Sequence, residues 1–347
     1  MISSIPKKRI CLALSGGIDS TFAGWLLKQE GYEIIGVFLQ LTQDEERLSN
    51  ARTAADFLDI PLKILDLKAE FDENIIKPFI NTYLSGETPN PCVLCNANIK
   101  CGLLLEWALE NDLFSLATGH YARIEYDPET GNYLLLKGLD PKKDQSYFLY
   151  RLTQKQLSRL LFPLGVWTKK GVEEKIGRIG PHLHRMQESQ EICFLPNRDY
   201  RSFLKKAAPH AFKSGHVCDR SGKRVGSHSG FPNYTIGQRK GLQLIRKGPN
   251  YVLSVDAQKN RVIIGNDEDL WQSELIAEDL NRIIDLWPKN VLVRIRSTQP
   301  AQEAYIEELE AGKVKVLFKE PVRAITPGQS VVFYKKDICL GGGIIRS

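Results

Sequence analysis

Short apolar runs alternate with helical patterns over about the first third of the chain. The runs have the length of buried strands, and the segments between them repeat apolar residues every three or four positions. Such alternation favours a parallel sheet covered by helices, with ligands at the carboxyl ends of its strands. The predicted strands are Ile10–Leu14, Ile34–Phe38, Leu62–Leu67 and Phe114–Ala117, and the predicted helices are Thr21–Glu30, Glu45–Leu58, Phe71–Leu84 and Asn96–Asn111.

The pattern changes twice after this region. From Asp144 to about Lys206 it is mainly helical, with a break at Pro163-Leu164-Gly165. After Pro209 come short runs separated by glycine, and from about Ile276 apolar and polar residues alternate, which predicts a small antiparallel barrel or sandwich. We therefore expect an α/β chain with a parallel-sheet domain over 1–205, a basic β-rich central domain over 206–273 and a C-terminal antiparallel β-barrel over 274–347.

The composition is that of an ordinary globular enzyme. Of the 347 residues, 42% are hydrophobic and 25% are charged. Residues 1–9 lack the apolar core of a signal peptide, and we find no apolar stretch near the ~20 residues that a membrane span needs. The seven cysteines are scattered and odd in number, so we expect reactive or core cysteines in the cytoplasm instead of a disulfide framework.

Positive charge is concentrated in the middle of the chain. Between Pro196 and Arg261 there are 14 Lys or Arg and three Asp or Glu, a local balance of +11 within a chain of net charge +6. A basic segment between mildly acidic ends indicates a polyanionic partner larger than a nucleotide, although a solvated basic surface is the alternative. The residues predicted to neutralise phosphates are Lys205, Lys206, Lys223, Arg224, Arg239 and Lys240.

A glycine-rich turn joins the first predicted strand to the first predicted helix. Its sequence is Ser15-Gly16-Gly17-Ile18-Asp19-Ser20. Two glycines allow the backbone to approach an anion closely, and the free N–H groups of the following helix point at that anion. The turn lacks the lysine of a Walker A loop. Ala117-Thr118-Gly119-His120 ends another predicted strand at the same sheet edge, so we expect both loops to face one nucleotide; a glycine turn without a ligand is the alternative.

Two cysteines follow a proline-rich turn. Cys92 and Cys95 lie in Asn90-Pro91-Cys92-Val93-Leu94-Cys95. A helix N-terminus near Cys95 would lower its thiol pKa and make it reactive. The same spacing suits half of a zinc site, but Cys101 and the histidines do not complete a standard ligand set.

The other cysteines carry weaker signals. Cys193, in Gln190-Glu191-Ile192-Cys193-Phe194, would by itself most often be a buried structural residue. Cys11 and Cys339 lie in strand-like runs and are interpreted as core residues. Cys218 precedes a turn and receives no role.

Taken together, the motifs resemble those of the tRNA-specific 2-thiouridylase family, within the PP-loop ATP pyrophosphatase superfamily. The resemblance covers nearly the whole chain in one order. SGGIDS alone indicates only the superfamily, whereas the NPCVLCN and EICF pair with YTIGQRKGL indicates the family. The matching motifs are SGGIDS (15–20), TPNPCVLCN (88–96), ATGHYAR (117–123), KKDQSYFLY (142–150), QESQEICF (187–194), YTIGQRKGL (234–242), PGQSVVFY (327–334) and the terminal LGGGII.

The resemblance implies a reaction at the wobble uridine of tRNA. ATP would adenylate the C2 oxygen of the uracil, and sulfur from a persulfide on Cys193 would then replace AMP. Cys95 would be the second catalytic thiol, and a transient Cys95–Cys193 disulfide would result. Either Cys95 releases the sulfur first, or the persulfide attacks directly and Cys95 resolves it afterwards; both orders stay open. The implied partners are tRNAs for Lys, Glu and Gln and a protein that donates persulfide sulfur.

The resemblance also implies binding residues. Mg²⁺ would be bound at Asp19. As an anion near phosphates, Asp144 would bond to a base or hydroxyl. Leu39 stands where the family usually has methionine against the adenine, and it keeps an apolar contact. The implied ATP-binding residues are Ala13, Leu14, Ser15, Gly16, Gly17, Ile18, Asp19, Ser20, Leu39 and Gly119, and the implied tRNA contacts are Asn90, Pro91, Cys92, His120, Lys143, Asp144, Gln145, Arg296, Ser297 and Gln329.

Two other function classes remain as alternatives. A PP-loop ligase or amidotransferase that does not thiolate would need neither the paired cysteines nor the basic middle segment. A catalytically inactive tRNA-binding protein would not need an intact glycine loop together with both cysteines.

Overall fold

The computed structural model describes residues 8–185, 192–195, 197, 199–244 and 250–346. Its strands, in chain order, are β1 (Arg9–Ala13), β2 (Glu33–Gln40), β3 (Leu62–Asp66), β4 (Leu116–Ala117), β5 (Ala122–Asp127), β6 (Asn132–Lys137), β7 (Leu160–Leu161), β8 (Gly215–Cys218), β9 (Arg224–His228), β10 (Gln243–Leu244), β11 (Tyr251–Asp256), β12 (Arg261–Gly265), β13 (Trp271–Arg282), β14 (Asn290–Arg294), β15 (Gln302–Leu309), β16 (Lys313–Arg323), β17 (Ser330–Lys335) and β18 (Ile338–Ile345).

Helices cover the first sheet and connect its strands. In chain order they are α1 (Ile18–Gln29), α2 (Glu45–Leu58), α3 (Lys68–Phe71), α4 (Lys77–Leu84), α5 (Pro91–Leu94), α6 (Leu104–Glu110), α7 (Gln154–Leu157), α8 (Lys169–Ile179) and α9 (Tyr200–Ala207). Turns of π-helix join α3 to α4 over Asp72–Ile76 and α5 to α6 over Cys95–Leu103, so each pair forms one continuous helical segment.

The first sheet is parallel and has the order β3-β2-β1-β4-β7. The four predicted strands and the four predicted helices are confirmed, with small shifts at their ends. Side chains alternate across β1: Ile10 and Leu12 pack into one apolar cluster, and Cys11 packs into the cluster on the other face. Since the chain runs from β1 outward to β2 and β3 and returns to β4 on the other side of β1, the crevice between β1 and β4 is where the strand order reverses.

The segment from Pro91 to Glu110 is an internal helix of the first domain. Its 20 residues have a mean hydropathy of 1.3, so by length and composition alone it could span a membrane. In the fold, however, Leu104 and Ala108 pack into the cluster behind the sheet, while Cys95 and Ile99 pack into a second cluster. A helix with both faces buried against the same domain is a core helix. We did not find this apolar stretch of 20 residues in the sequence, and its burial in the core explains why it is apolar.

A second sheet follows, with the order β10-β9-β8-β12-β11. Val217, Val252 and Val262 lie in its core. This region is the β-rich segment that the glycine-punctuated runs predict.

The third sheet contains a closed antiparallel barrel. Its strands follow the order β13-β16-β15-β14-β17-β18, and pairing of β13 with β18 closes the ring. The alternating runs around Val291, Lys313 and Val331 are its strands β14, β16 and β17, as predicted.

One hairpin differs from the prediction. We predicted no strands between Ala117 and Asp144, but β5 and β6 form an antiparallel pair there, and β6 continues onto β18 of the barrel through Leu136 opposite Ile338. The region from Asp144 to Lys206 is also less helical than predicted, because β7 joins the parallel sheet there. The first and last regions therefore share a sheet, and the interface between them is fixed by backbone hydrogen bonds.

Candidate functional site

The glycine-rich turn lies at the crevice where the strand order of the parallel sheet reverses. It follows β1 and leads into α1, and Gly17 is the residue before the helix, with no side chain capping the helix N-terminus. Ser15 is exposed, whereas Gly16 and Ser20 are buried. The first N–H groups of α1 therefore face the crevice without a side-chain acceptor, as an anion site requires.

Gly16 has to be glycine for two separate reasons. Its φ of +78° lies in the left-handed region, and a Cβ there would come within 2.7 Å of the Arg47 carbonyl oxygen and 2.8 Å of the Ala51 nitrogen. Hydroxyl groups hold the turn from inside: Ser20 Oγ donates to the Gly17 carbonyl at 3.0 Å and accepts from Ser15 N–H at 3.3 Å. The turn is thus packed onto α2 and shaped by its own side chains.

The loop after β4 packs directly on this turn. A Cβ on Gly119 would lie 2.9 Å from the Ser20 nitrogen and 2.9 Å from the Asp19 carbonyl carbon. The parallel pairing of β1 with β4, with Leu12 opposite Ala117, brings the two loops to one edge. The two loops therefore meet at one sheet edge, as expected, and their binding of one nucleotide stays a prediction.

Asp19 has partners that the sequence did not suggest. Its Oδ1 accepts from Lys169 Nζ at 2.8 Å and from the Tyr121 hydroxyl at 2.7 Å. The Lys169 side chain is only 8% exposed. Lys169 begins α8, 150 residues after Asp19, and it carries no recognisable motif; only the fold shows that a lysine reaches the glycine-rich turn.

Cys92, Cys95 and Lys100 lie on the first turns of the 91–110 helix, and Cys193 lies near them; these three cysteines with Lys100 are called the sulfur cluster below. Cys92 and Cys95 lie one helical turn apart, and Lys100 follows Cys95 by five residues, which is one turn of the π-helix that begins at Cys95. Gln156 donates through Nε2 to the carbonyls of Ala97 (3.0 Å) and Cys101 (2.9 Å) and so stabilises the wide turns. Such π-turns are frequent at functional sites.

Cys193 joins this group through apolar packing. The neighbouring Phe194 is 8% exposed and makes edge-to-face contacts with Phe71, Phe79 and Phe203 at centroid distances of 5.7, 5.1 and 5.6 Å. Cys95 is a core member of the same cluster, and Cys193 packs against it. The two cysteines predicted to be catalytic, 98 positions apart in the sequence, thus belong to one apolar cluster and lie close enough for their charges to interact. Residues 187–191 of their motif lie outside the described residues.

One prediction about Cys95 is wrong. We expected the helix N-terminus to lower its thiol pKa, but the helix begins at Pro91 and Cys95 is only 7% exposed. Burial raises the pKa of the Cys95 thiol to about 12, and the positive charge of Lys100 opposes the rise. Burial also raises the pKa of Cys92, again opposed by Lys100. Desolvation of the buried thiolate is the largest cause of the shift in the Cys95 pKa.

His120 lies between the glycine-rich turn and the cysteines. Its Nδ1 is 2.7 Å from Thr118 Oγ1, and its ring packs edge-to-face on Phe162 at 5.6 Å. Burial, with a smaller contribution from the charge of Lys100, lowers the pKa of His120 to about 3. Since His120 follows Gly119 and interacts with Lys100, the glycine-rich turn and the sulfur cluster lie on either side of one loop.

Three residues predicted to contact tRNA lie in the C-terminal region. Gln329 joins the barrel to the first domain, because it donates to the carbonyls of Thr88 (3.1 Å) and Pro89 (2.9 Å), just before Asn90. Arg296 donates to the Ala324 carbonyl at 2.9 Å, and the Ser297 carbonyl accepts from Arg294. All three residues are half-buried, and their contact with tRNA stays a prediction.

The predicted contacts at 143–145 also have structural partners. The Asp144 side chain is 3% exposed and forms an ion pair with Arg294 at 2.7 Å, and Gln145 Oε1 accepts from Tyr121 N–H at 2.9 Å. Asp144 thus holds the barrel to this loop, and Gln145 positions the tyrosine that bonds Asp19. Lys143 is half-buried in the same loop.

The remaining predicted residues have clear positions. Leu39, near the end of β2, packs against the apolar clusters on both sides of the 91–110 helix. Pro91 is buried. Cys11 and Cys339 are core residues, as predicted, and Cys218 is buried as well. Within the described ranges, no three His, Cys, Asp or Glu side chains form a metal site. The six basic residues singled out between 205 and 240 are all exposed.

Comparison with known families agrees with this organisation. Residues 8–197 match a family model described as tRNA methyl transferase HUP domain, residues 201–266 match the PRC-barrel domain of the same family, and residues 272–345 match an aminomethyltransferase β-barrel domain.

Curated relatives align over nearly the whole chain. A tRNA-specific 2-thiouridylase of Caldanaerobacter subterraneus subsp. tengcongensis is 46% identical, and the alignment covers 98% of both chains. Another from Thermoanaerobacter pseudethanolicus is 45% identical with the same coverage. One from Moorella thermoacetica is 45% identical over 97% of this chain and 99% of its own length.

Proposed function

The chain belongs to the tRNA-specific 2-thiouridylase family and is a tRNA-uridine 2-sulfurtransferase, and from this premise we propose that it thiolates C2 of the wobble uridine by adenylating the C2 oxygen with ATP. The observation that carries this proposal is that one loop joins two elements: Gly119 packs on the uncapped, glycine-rich helix N-terminus, and His120 interacts with Lys100 beside the packed cysteines.

ATP would place its phosphates on residues 15–20, where backbone N–H groups face the crevice. Leu39 would pack against the adenine. Lys169 would supply the positive charge that a Walker A lysine supplies elsewhere, because its ammonium already lies at Asp19. Asp19 is a single hard oxygen donor, and one carboxylate plus phosphate oxygens is a usual Mg²⁺ environment; the ion would neutralise charge on the leaving pyrophosphate.

Activation and sulfur transfer are two displacements. The C2 oxygen of the uracil attacks the α-phosphorus and pyrophosphate leaves, so that the oxygen becomes part of an AMP leaving group. In one order, Cys95 first attacks the inner sulfur of the Cys193 persulfide, the terminal sulfur leaves as hydrosulfide, and this hydrosulfide attacks C2 and displaces AMP. In the other order, the terminal sulfur attacks C2 while still on Cys193, AMP leaves, and Cys95 then attacks the Cys193 sulfur so that the thiolated uridine leaves. Both orders end with the Cys95–Cys193 disulfide. Packing of the two cysteines in one cluster supports this pairing.

The uridine must leave the anticodon stack to reach this crevice. Asn90 and Cys92 would contact the flipped base, and the Asn90 side chain lies within hydrogen-bonding reach of the Tyr147 hydroxyl. The exposed basic residues of the central domain would bind the tRNA phosphates. The expected acceptors are tRNAs for Lys, Glu and Gln, and a persulfide-carrying protein would load Cys193.

The experiment that tests the proposal is nucleoside mass spectrometry. We expect wild-type protein with tRNA, ATP, Mg²⁺ and a persulfide source to yield 2-thiouridine, AMP and pyrophosphate. Cys193→Ser should abolish 2-thiouridine, while Cys218→Ser, a buried cysteine of the central domain, should retain it. Continued 2-thiouridine formation by Cys193→Ser would overturn the persulfide assignment, and release of ADP instead of AMP would overturn adenylation.

A further inference from the structure

The sulfur cluster contains a third thiol that the reaction above does not use. Cys92 lies one helical turn before Cys95, close enough to Cys95, Cys193 and Lys100 for their charges to interact. The charge of Lys100 acts on all three of these thiols and also on Cys101. Cysteines three apart in a helix have Cα atoms about 5 Å apart, which is within the range that a disulfide allows.

The three thiols differ in their exposure. Cys95 is 7% exposed, whereas Cys92 and Cys193 are both half-buried. A reductant has to reach the sulfur that it attacks. In a Cys95–Cys193 disulfide, the Cys95 sulfur would therefore be shielded from an outside thiol but adjacent to Cys92.

We propose that Cys92 resolves the Cys95–Cys193 disulfide by thiol–disulfide exchange within the cluster. This inference rests on the proposed function. The Cys92 thiolate attacks the sulfur of Cys95, the bond between Cys95 and Cys193 breaks, and a bond between Cys92 and Cys95 forms. Cys193 leaves as a thiolate and takes up the proton that Cys92 gave up. One disulfide replaces another, so this step has no net oxidation or reduction.

The exchange separates sulfur loading from reduction. Cys193 regains a free thiol and can accept the next persulfide, while the oxidised pair lies at the start of the helix. A dithiol reductant then reduces the Cys92–Cys95 disulfide by two electrons at its more exposed sulfur, Cys92. The positive charge of Lys100 favours the thiolate form of the attacking sulfur, Cys92.

Mapping of disulfides after one turnover tests the exchange in the wild-type protein itself. The protein is loaded with persulfide, mixed with tRNA and ATP without reductant, quenched by acid and alkylated, and its peptides are identified by mass spectrometry. We expect the Cys92–Cys95 disulfide to replace the Cys95–Cys193 disulfide as the reaction proceeds. Persistence of the Cys95–Cys193 disulfide alone at all times would overturn the exchange.

Cys92→Ser supplies the second test, with Cys101→Ser as a buried control on the same helix. At limiting dithiol, Cys92→Ser should stop after its first turnover with the Cys95–Cys193 disulfide trapped, whatever the rate of that turnover, and Cys101→Ser should continue. Equal numbers of turnovers in the two variants would contradict the proposal. A wild-type protein that forms no 2-thiouridine in its first turnover would overturn the proposed function itself, which is a distinct result.

Discussion

The glycine-rich turn and the sulfur cluster lie on either side of one loop, but they are built by different forces. The turn is held by short polar contacts, including the bond of Ser20 to Gly17 and the ion pair of Asp19 with Lys169. The sulfur cluster is held by apolar packing, with Phe194 inserted among three other phenylalanines. Polar contacts depend on direction and distance, whereas apolar packing depends mainly on the area buried.

The difference suits the two chemical tasks. Phosphates need donors fixed in place before they arrive. Sulfur atoms that exchange bonds need to approach one another and separate again, and apolar packing of a short segment permits such movement more readily than a rigid polar network. We therefore expect the turn to lose function on small geometric changes and the sulfur cluster to respond chiefly to changes in charge and thiol identity.

The largest effect is expected at Gly16. Gly16→Ala forces a Cβ against the Arg47 carbonyl at positive φ, and we expect loss of ATP binding together with a destabilisation of about 1–3 kcal/mol. Calorimetric titration with ATP and denaturant unfolding measure the two quantities. Gly31→Ala is the matched control, because Gly31 also has positive φ (+84°) but a Cβ there would meet no atom within 4 Å. ATP affinity that is equal in the two variants would show that close packing of the turn is unimportant.

A smaller effect is expected at Lys169. Lys169→Met removes a largely buried ammonium from Asp19, so ATP affinity should fall about tenfold or more, because a hydrogen bond to a charged group contributes about 1.5–3 kcal/mol. The control is Lys28→Met, which removes the ion pair with Asp59, whose side chain is 96% exposed. Loss of this exposed pair should change the free energy of ATP binding by less than about 1 kcal/mol. If ATP affinity is unchanged in Lys169→Met, the proposal that Lys169 belongs to the ATP site is wrong.

The smallest effect is expected at Lys100. Its charge opposes the rise in the pKa of Cys95 caused by burial, so Lys100→Met should raise that pKa further. The thiolate fraction at a given pH then falls, and alkylation of Cys95 should slow by about threefold to tenfold, with the rate still rising with pH up to about pH 9 or above. Peptide mass spectrometry after timed iodoacetamide treatment measures the rate. The exposed Lys155→Met is the control; identical pH profiles for the two variants would exclude a charge effect.

Much of the nucleotide site could be predicted from local sequence. A glycine-rich turn between a strand and a helix has few alternative conformations, and the position of Gly119 follows from the parallel pairing of β1 with β4. Lys169 could not be found in this way, because its position depends on where α8 packs. The strands of the barrel were also predicted, because they are alternating runs. Strands β5 and β6 were not predicted, because β6 pairs with β18, which comes about 200 residues later in the chain.

The cysteines of the sulfur cluster could be predicted only because their motifs resemble those of the 2-thiouridylase family. Nothing local to Cys193 distinguishes it from a core cysteine, and its position results from Phe194 packing beside the 91–110 helix. The pKa of Cys95 was predicted in the wrong direction, since a pattern shows where a helix begins only approximately and shows nothing about burial. The pairing of the buried Asp144 with Arg294, 150 residues later, was also not visible in the local sequence.

The central claim is that sulfur passes from Cys193 to a uridine activated beside it, and transfer of an isotopic label tests this directly. The wild-type protein would be loaded with ³⁴S persulfide, freed of the donor and mixed with tRNA and ATP. We expect the label to leave the Cys193 peptide and enter 2-thiouridine, with AMP formed in equal amount and the yield limited to one label per protein. Labelled persulfide that remains on Cys193 while 2-thiouridine forms without the label would contradict the account.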